Sequence, residues 1–175
     1  VQSRAVRPDG ALTVLHTVGG AVPGPVIRVA RGVPVDLVIE NGLGQPTALH
    51  VHGYRGVNSA EGIPGLTSTP IAPGEARTIR IETPDAGTYL YMPVLPGKAS
   101  EHLERGLGGA FIVMEPNAPP VDLDTVAILD DIRLAENGGL VPDFGNRMDA
   151  GRAGRLGNLL LVNGKVAPDE VVVRP

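Results

Sequence analysis

Cysteine and tryptophan are both absent from this chain. Without cysteine there is no disulfide framework, no thiolate metal site and no cysteine nucleophile. Aromatic residues of every kind are scarce: Tyr54, Tyr89, Tyr91, Phe111 and Phe144 are the full set. Sandwich domains ordinarily place aromatics in strands and core, so Val, Leu and Ile must fill that volume here. No apolar run approaches the roughly 20 residues that span a bilayer, which argues against a membrane partner. A strong charge of either sign is lacking too, with a formal net charge of −4. Basic residues are scattered, at most paired as in Arg28 and Arg31 or Arg152 and Arg155. A nucleic-acid surface would need them clustered. No secretory leader opens the sequence, so the expectation is a mature form, an excised piece or a cytosolic protein.

What is abundant is punctuation. The 175 residues include 24 Gly and 17 Pro, spread without a low-complexity tract. Such turn formers between short apolar runs favour an all-β protein, and the length suits one domain with a real core. Strand-like runs recur at 11–18, 25–30, 33–40, 47–52, 76–82, 87–92, 109–115, 124–131, 158–164 and 170–175. In the third, Val33, Val35, Leu37 and Ile39 alternate with Asp36 and Glu40, a half-buried pattern. "SEHLER" (100–105) predicts one short helix, with Ser100 as N-cap, Glu101 in the first turn and Gly106 as the stop. "PDAGTY" (84–89) sets Tyr89 where its hydroxyl can bond back across a Greek-key corner. Two loops, 54–75 and 135–157, exceed the usual length and read as functional or as interface covers.

The most chemical stretch is "TALHVHGYRG" (47–56). His50 and His52 share one face of a strand, so they form half of a metal site or two exposed strand histidines. A site needs three or four N, O or S donors. His16 and His102, on an early strand and in the short helix, stand in no recognisable ligand spacing. Asp130 and Asp131 point to opposite sides of a strand and read as strand-end residues. The glycines of "RGLGGAF" (105–111) fit neither GxGxxG nor a P-loop. No GxSxG elbow is present, and Ser3, Ser59, Ser68 and Ser100 have no base partner evident from sequence.

Several segments together carry a resemblance. "PGPVIRVARG" (23–32), "TALHVHGYRG" (47–56), "EGIPGLTSTPIAPGE" (61–75) and "DAGTYLYMPVLPGKASEHLERGLGGAFIV" (85–113) follow one another in the order and spacing of a known family. They resemble the first cupredoxin domain of a multicopper oxidase, of the bacterial laccase-like or cuprous-oxidase-like kind. "LDDIRLAENGGLVPDFGN" and "GRLGNLLLVNGK" are similar to the family's approach to a second domain. The resemblance implies an all-β Greek-key sandwich or barrel of cupredoxin type over residues 1–116. Residues 117–175 would then be a linker and C-terminal extension packed on that domain.

In this family the first domain supplies four histidines to a trinuclear copper cluster. By resemblance, His50 matches the type 2 ligand and His52 a type 3 ligand. The other two positions hold Met92 and Val94, and the following His-Gly reads Pro96-Gly97. Three family tryptophan positions are Val51, Leu90 and Ile132. These departures imply a domain that is not catalytic by itself, a scaffold or vestigial copper domain to which copper is optional. They favour a redesigned lone domain over a natural copper-less relative. Two alternatives stay open: a small copper-binding protein using His50 and His52, with Met92 as a third ligand, and a partial subunit of a copper-dependent oxidase. A homodimer through the former inter-domain face is the expected partner state. Family resemblance implies a periplasmic or extracellular location; the sequence names no substrate.

Overall fold

The computed structural model describes residues 1–6, 13–57 and 62–172, with only the backbone described for 3–6. Nine of the expected runs contain strands, most of them trimmed where turn residues begin and two running one residue further. They are β2 (Thr13–Thr17), β3 (Ile27–Ala30), β4 (Val35–Glu40), β5 (Leu49–His52), β6 (Ala76–Ile81), β7 (Gly87–Pro93), β8 (Gly109–Met114), β9 (Leu129–Ile132) and β10 (Leu159–Val162). The run at 170–175 differs: 170–172 lie outside any strand, and 173–175 fall outside the described residues. Residues 11 and 12 also fall outside them. One strand had no sequence signal. β1 (Gln2–Val6) has little alternation of its own and is extended because it pairs antiparallel with β2.

The architecture is a β-sandwich of cupredoxin type. One layer orders its strands β3-β8-β7-β5, with β3 parallel to β8 and the other pairs antiparallel. Facing it, β4 and β6 form an antiparallel pair in which Leu37 opposes Ile79 and Val35 opposes Ile81. Neither layer closes into a barrel. Strand alternation sends Val29, Val51, Tyr91, Phe111 and Val113 inward, where they meet Ile81 and half-buried Val35, Leu37 and Ile79. A second buried cluster joins Ile39, Leu49 and Ile71.

A cavity of about 760 Å³ opens between the layers, lined in part by Ile27, Leu37, Ile39, Leu49, Ile81 and Tyr91. Tyr91 is the large group that does bridge the interior. Its hydroxyl donates to the Pro25 carbonyl at 2.9 Å. Gly24 and Gly109 lie against it so closely that a Cβ on either would overlap the phenol. Tyr89 closes the expected corner, donating from its hydroxyl to the Asp85 carbonyl at 3.1 Å.

The helix α1 (Ala99–Glu104) starts ahead of the sequence expectation. Ser100 is not its cap: Lys98 occupies that position, without a side-chain cap bond. The Lys98 ammonium reaches forward to Glu101 at 2.8 Å, and Arg105 reaches back to the same carboxylate at 2.9 Å. Gly106, at φ +96°, ends the helix as expected. A second one-turn helix, α2 (Arg147–Ala150), was not foreseen. Asn146 caps it by accepting from the Met148 N–H at 2.8 Å.

β9 and β10 pair as an antiparallel ribbon. The Glu104 carboxylate accepts from the Arg133 N–H at 2.8 Å and pairs with Arg155 at 3.2 Å. Phe144 lies under the guanidinium groups of Arg105 and Arg155 at 5.2 and 5.0 Å. Asp130 and Asp131 serve the ribbon's local backbone, accepting from the Asp131 and Gly157 N–H groups respectively.

Two substitutions weigh the core terms. Phe111→Ala is expected to cost about 3–5 kcal/mol, because Phe111 is wholly buried. Tyr91→Phe removes only one hydrogen bond and is expected to cost about 1 kcal/mol. Urea unfolding of both variants checks the order; equal losses would contradict it.

Candidate functional site

β5 presents the histidine pair by simple alternation. Leu49 and Val51 face the core, at 6% and 5% exposure, so His50 and His52 take the opposite face. His50 is half-buried and His52 exposed. Their ring centroids are 6.0 Å apart and the planes cross at 76°.

The neighbouring strand completes the picture. In the β5–β7 ladder His50 stands directly opposite Met92, and His52 opposite Leu90. Opposed residues of an antiparallel pair have Cβ atoms about 5 Å apart on the same face. Hence the two imidazoles and the Met92 thioether share one patch. Val94, two residues on, continues the outward side of β7, and its N–H donates to the Ala48 carbonyl at 3.1 Å. The side chains at 92 and 94 are one thioether, with a sulfur donor, and one alkyl group, with none. Among the described residues no group of three or more His, Cys, Asp or Glu side chains is arranged to hold a metal.

The loop after β5 supports this edge. Arg55 forms a paired bond to Asp85 at 2.8 and 2.9 Å. Thr47 and Ile71 exchange backbone bonds at 3.0 and 2.8 Å. Part of the loop, 58–61 with Ser59, lies outside the described residues.

The other two histidines are not scattered. His16 on β2 and His102 on α1 meet with ring centroids 5.7 Å apart and planes at 67°. They are 6% and 0% exposed. The His102 Nδ1 lies 3.3 Å from the Thr47 hydroxyl, while His16 Nδ1 and His102 Nε2 have no hydrogen-bond partner. Desolvation lowers both rings' affinity for protons, pushing His16 down to about 4. No local motif signals this pair, because it depends on how α1 seats against β2.

Comparisons with known proteins agree with this fold. The family described as multicopper oxidase matches residues 1–118. Multicopper oxidase MmcO of Mycobacterium tuberculosis is 35% identical over 131 residues, which covers 74% of this chain and 25% of that protein. Laccase-2 of Botryotinia fuckeliana is 34% identical over 131 residues, covering 73% of this chain and 22% of its own length. The chain therefore spans about a quarter of the curated relatives it matches. Among solved structures, the multi-copper oxidase from Pseudomonas thermotolerans superposes with a TM-score of 0.87 at 28% identity, covering 94% of this chain and 40% of that one. The Campylobacter jejuni multicopper oxidase, described as a metallo-oxidase, gives 0.81 at 31% identity, covering 94% and 34%.

The buried pair makes stability pH-dependent. Unfolded, an imidazole binds its proton near pH 6.5; folded, His16 resists until about pH 4. Between these values the unfolded chain holds more protons, so stability rises with pH and falls on acidification. The His16 part amounts to about 3 kcal/mol across the window, and His102 adds in the same direction. Urea unfolding from pH 7 to pH 4 is expected to show this slope, and His16→Leu to flatten it. Parallel slopes in the two proteins would contradict the assignment.

Proposed function

The chain belongs to the multicopper oxidase family, and from that premise we propose that it is a cupredoxin domain which does not reduce oxygen by itself. One observation carries the reading: Met92 on β7 and Val94 just past its end occupy the two outward positions where the family resemblance expects ligand histidines. The trinuclear cluster the family implies does not fit these residues. Valine has no lone pair, and a thioether is a soft donor better matched to Cu(I) than to the Cu(II) of an oxygen-reducing centre. The chain also has no cysteine for a blue-copper thiolate. Its role is then structural, exerted through its surfaces, in the periplasm or outside the cell as the family suggests.

A surface is available for that role. On the same sheet face as His52, Leu90 is 49% exposed, and Met114 at the end of β8 is 43% exposed. A second copy of the chain is the partner we assign to this face. Sedimentation velocity is expected to show a dimer growing with concentration, and Leu90→Glu to return it to monomer. A monomer at every concentration would remove the dimer from the proposal.

The register of His50 opposite Met92 favours one further reading, a copper-binding protein with a two-nitrogen, one-sulfur donor set. Calorimetric titration with Cu(I) and Cu(II) separates the two. The structural reading expects no heat dependent on His50, and no laccase-type turnover with added copper. Cu(I) heat lost in His50→Ala supports the copper-binding reading, and turnover by the chain alone overturns the structural one.

A further inference from the structure

We propose that His16 and His102 form a buried two-coordinate site for a soft monovalent cation, Cu(I) or Ag(I), separate from the His50 and His52 face. The geometry carries it. A metal about 2.0–2.1 Å from one nitrogen of each ring sets the two centroids roughly 5.2 Å apart at a tetrahedral angle and about 6.4 Å apart when linear. The observed separation is 5.7 Å, which corresponds to a bent arrangement. Each ring keeps one buried nitrogen without a hydrogen-bond partner: Nδ1 of His16 and Nε2 of His102. Buried polar atoms are ordinarily paired, so two orphans on adjacent imidazoles call for an explanation.

Thr47 supplies the orienting contact. The His102 Nδ1 and the Thr47 hydroxyl lie 3.3 Å apart, and in the tautomer that the proposed site requires, Nδ1–H donates to Thr47 and the Nε2 lone pair is left for a metal. This is the outer-shell arrangement usual for ligating histidines. Thr47 itself is fully buried and is held by its backbone bonds to Ile71. Burial favours the neutral form of both rings, as a ligand requires.

The donor set chooses the cation. Zinc in structural sites takes four ligands, and no third His, Cys, Asp or Glu joins this pair among the described residues. Imidazole suits copper, and a filled-shell monovalent ion is content with two nitrogen donors. The charged neighbours are Glu101, Lys98 and Arg105. Glu101 bonds to both cations on α1, so the carboxylate tempers the positive charge that a bound ion would feel.

The test uses the full 175-residue chain, labelled with nitrogen-15 and titrated with Ag(I) in chloride-free buffer while long-range imidazole spectra are followed. The expected result is one equivalent bound, with shifts at His16 Nδ1 and His102 Nε2 that persist in the His50→Ala/His52→Ala double variant. Thr47→Val is expected to weaken Ag(I) binding by about tenfold, and His102→Gln to abolish it. Competition against a chromogenic Cu(I) chelator should give the same order. Shifts confined to His50 and His52, or none at all in the unmodified chain, overturn the site. That reading needs no variant to fold, and the double variant keeps it distinct from copper held on the outer face.

Discussion

The alternation of β7 is the constraint on which the rest depends. Its odd-numbered residues Tyr89, Tyr91 and Pro93 face inward, and its even-numbered Leu90 and Met92 face outward. Because the side-chain period is two, the register that buries Tyr91 against Gly24 and Gly109 also fixes Met92 opposite His50. A slip of one residue would expose the tyrosine and drive the thioether into the core. The core therefore sets the spacing of the outer face, whatever residues that face carries.

The same constraint explains which parts of the molecule were legible. β4 and β6 announce themselves through apolar alternation, β5 and β7 as short strand-like runs, and turns rich in Gly and Pro bound them. The ordered motifs around residues 23–32, 47–56 and 61–75 carry the family in the sequence alone. β1 was hidden because its extension comes from a partner strand rather than from its own residues. The start of α1 was misplaced because Ser100, a good capping residue, lies inside a helix whose first turn is held by Lys98 and Glu101.

The His16–His102 contact was invisible for a different reason. Eighty-six positions separate the two residues, and neither neighbourhood contains a ligand pattern. Their meeting requires α1 to lie against β2, where the His16 N–H donates to the Arg105 carbonyl at 2.6 Å. Gly106 makes this approach feasible, since a Cβ there would press on Val22 and the His16 carbonyl. A long-range pair of this kind is a product of packing, so only the folded chain displays it.

Polar chemistry thus occupies two unlike settings in one small domain. His50 and His52 sit on an accessible sheet face beside Met92, where water can solvate them and the thioether gives little help with Cu(II). His16 and His102 sit where water is largely excluded, and each ring retains an unpaired nitrogen. Leaving such groups unpaired in a buried site costs roughly 1–3 kcal/mol each, whereas the exposed pair has no comparable penalty. The energetic pressure to acquire a ligand therefore acts on the buried pair more strongly than on the pair that the family motif marks. Motif position and physical demand point to different histidines in this chain, and the second follows from the folded structure alone.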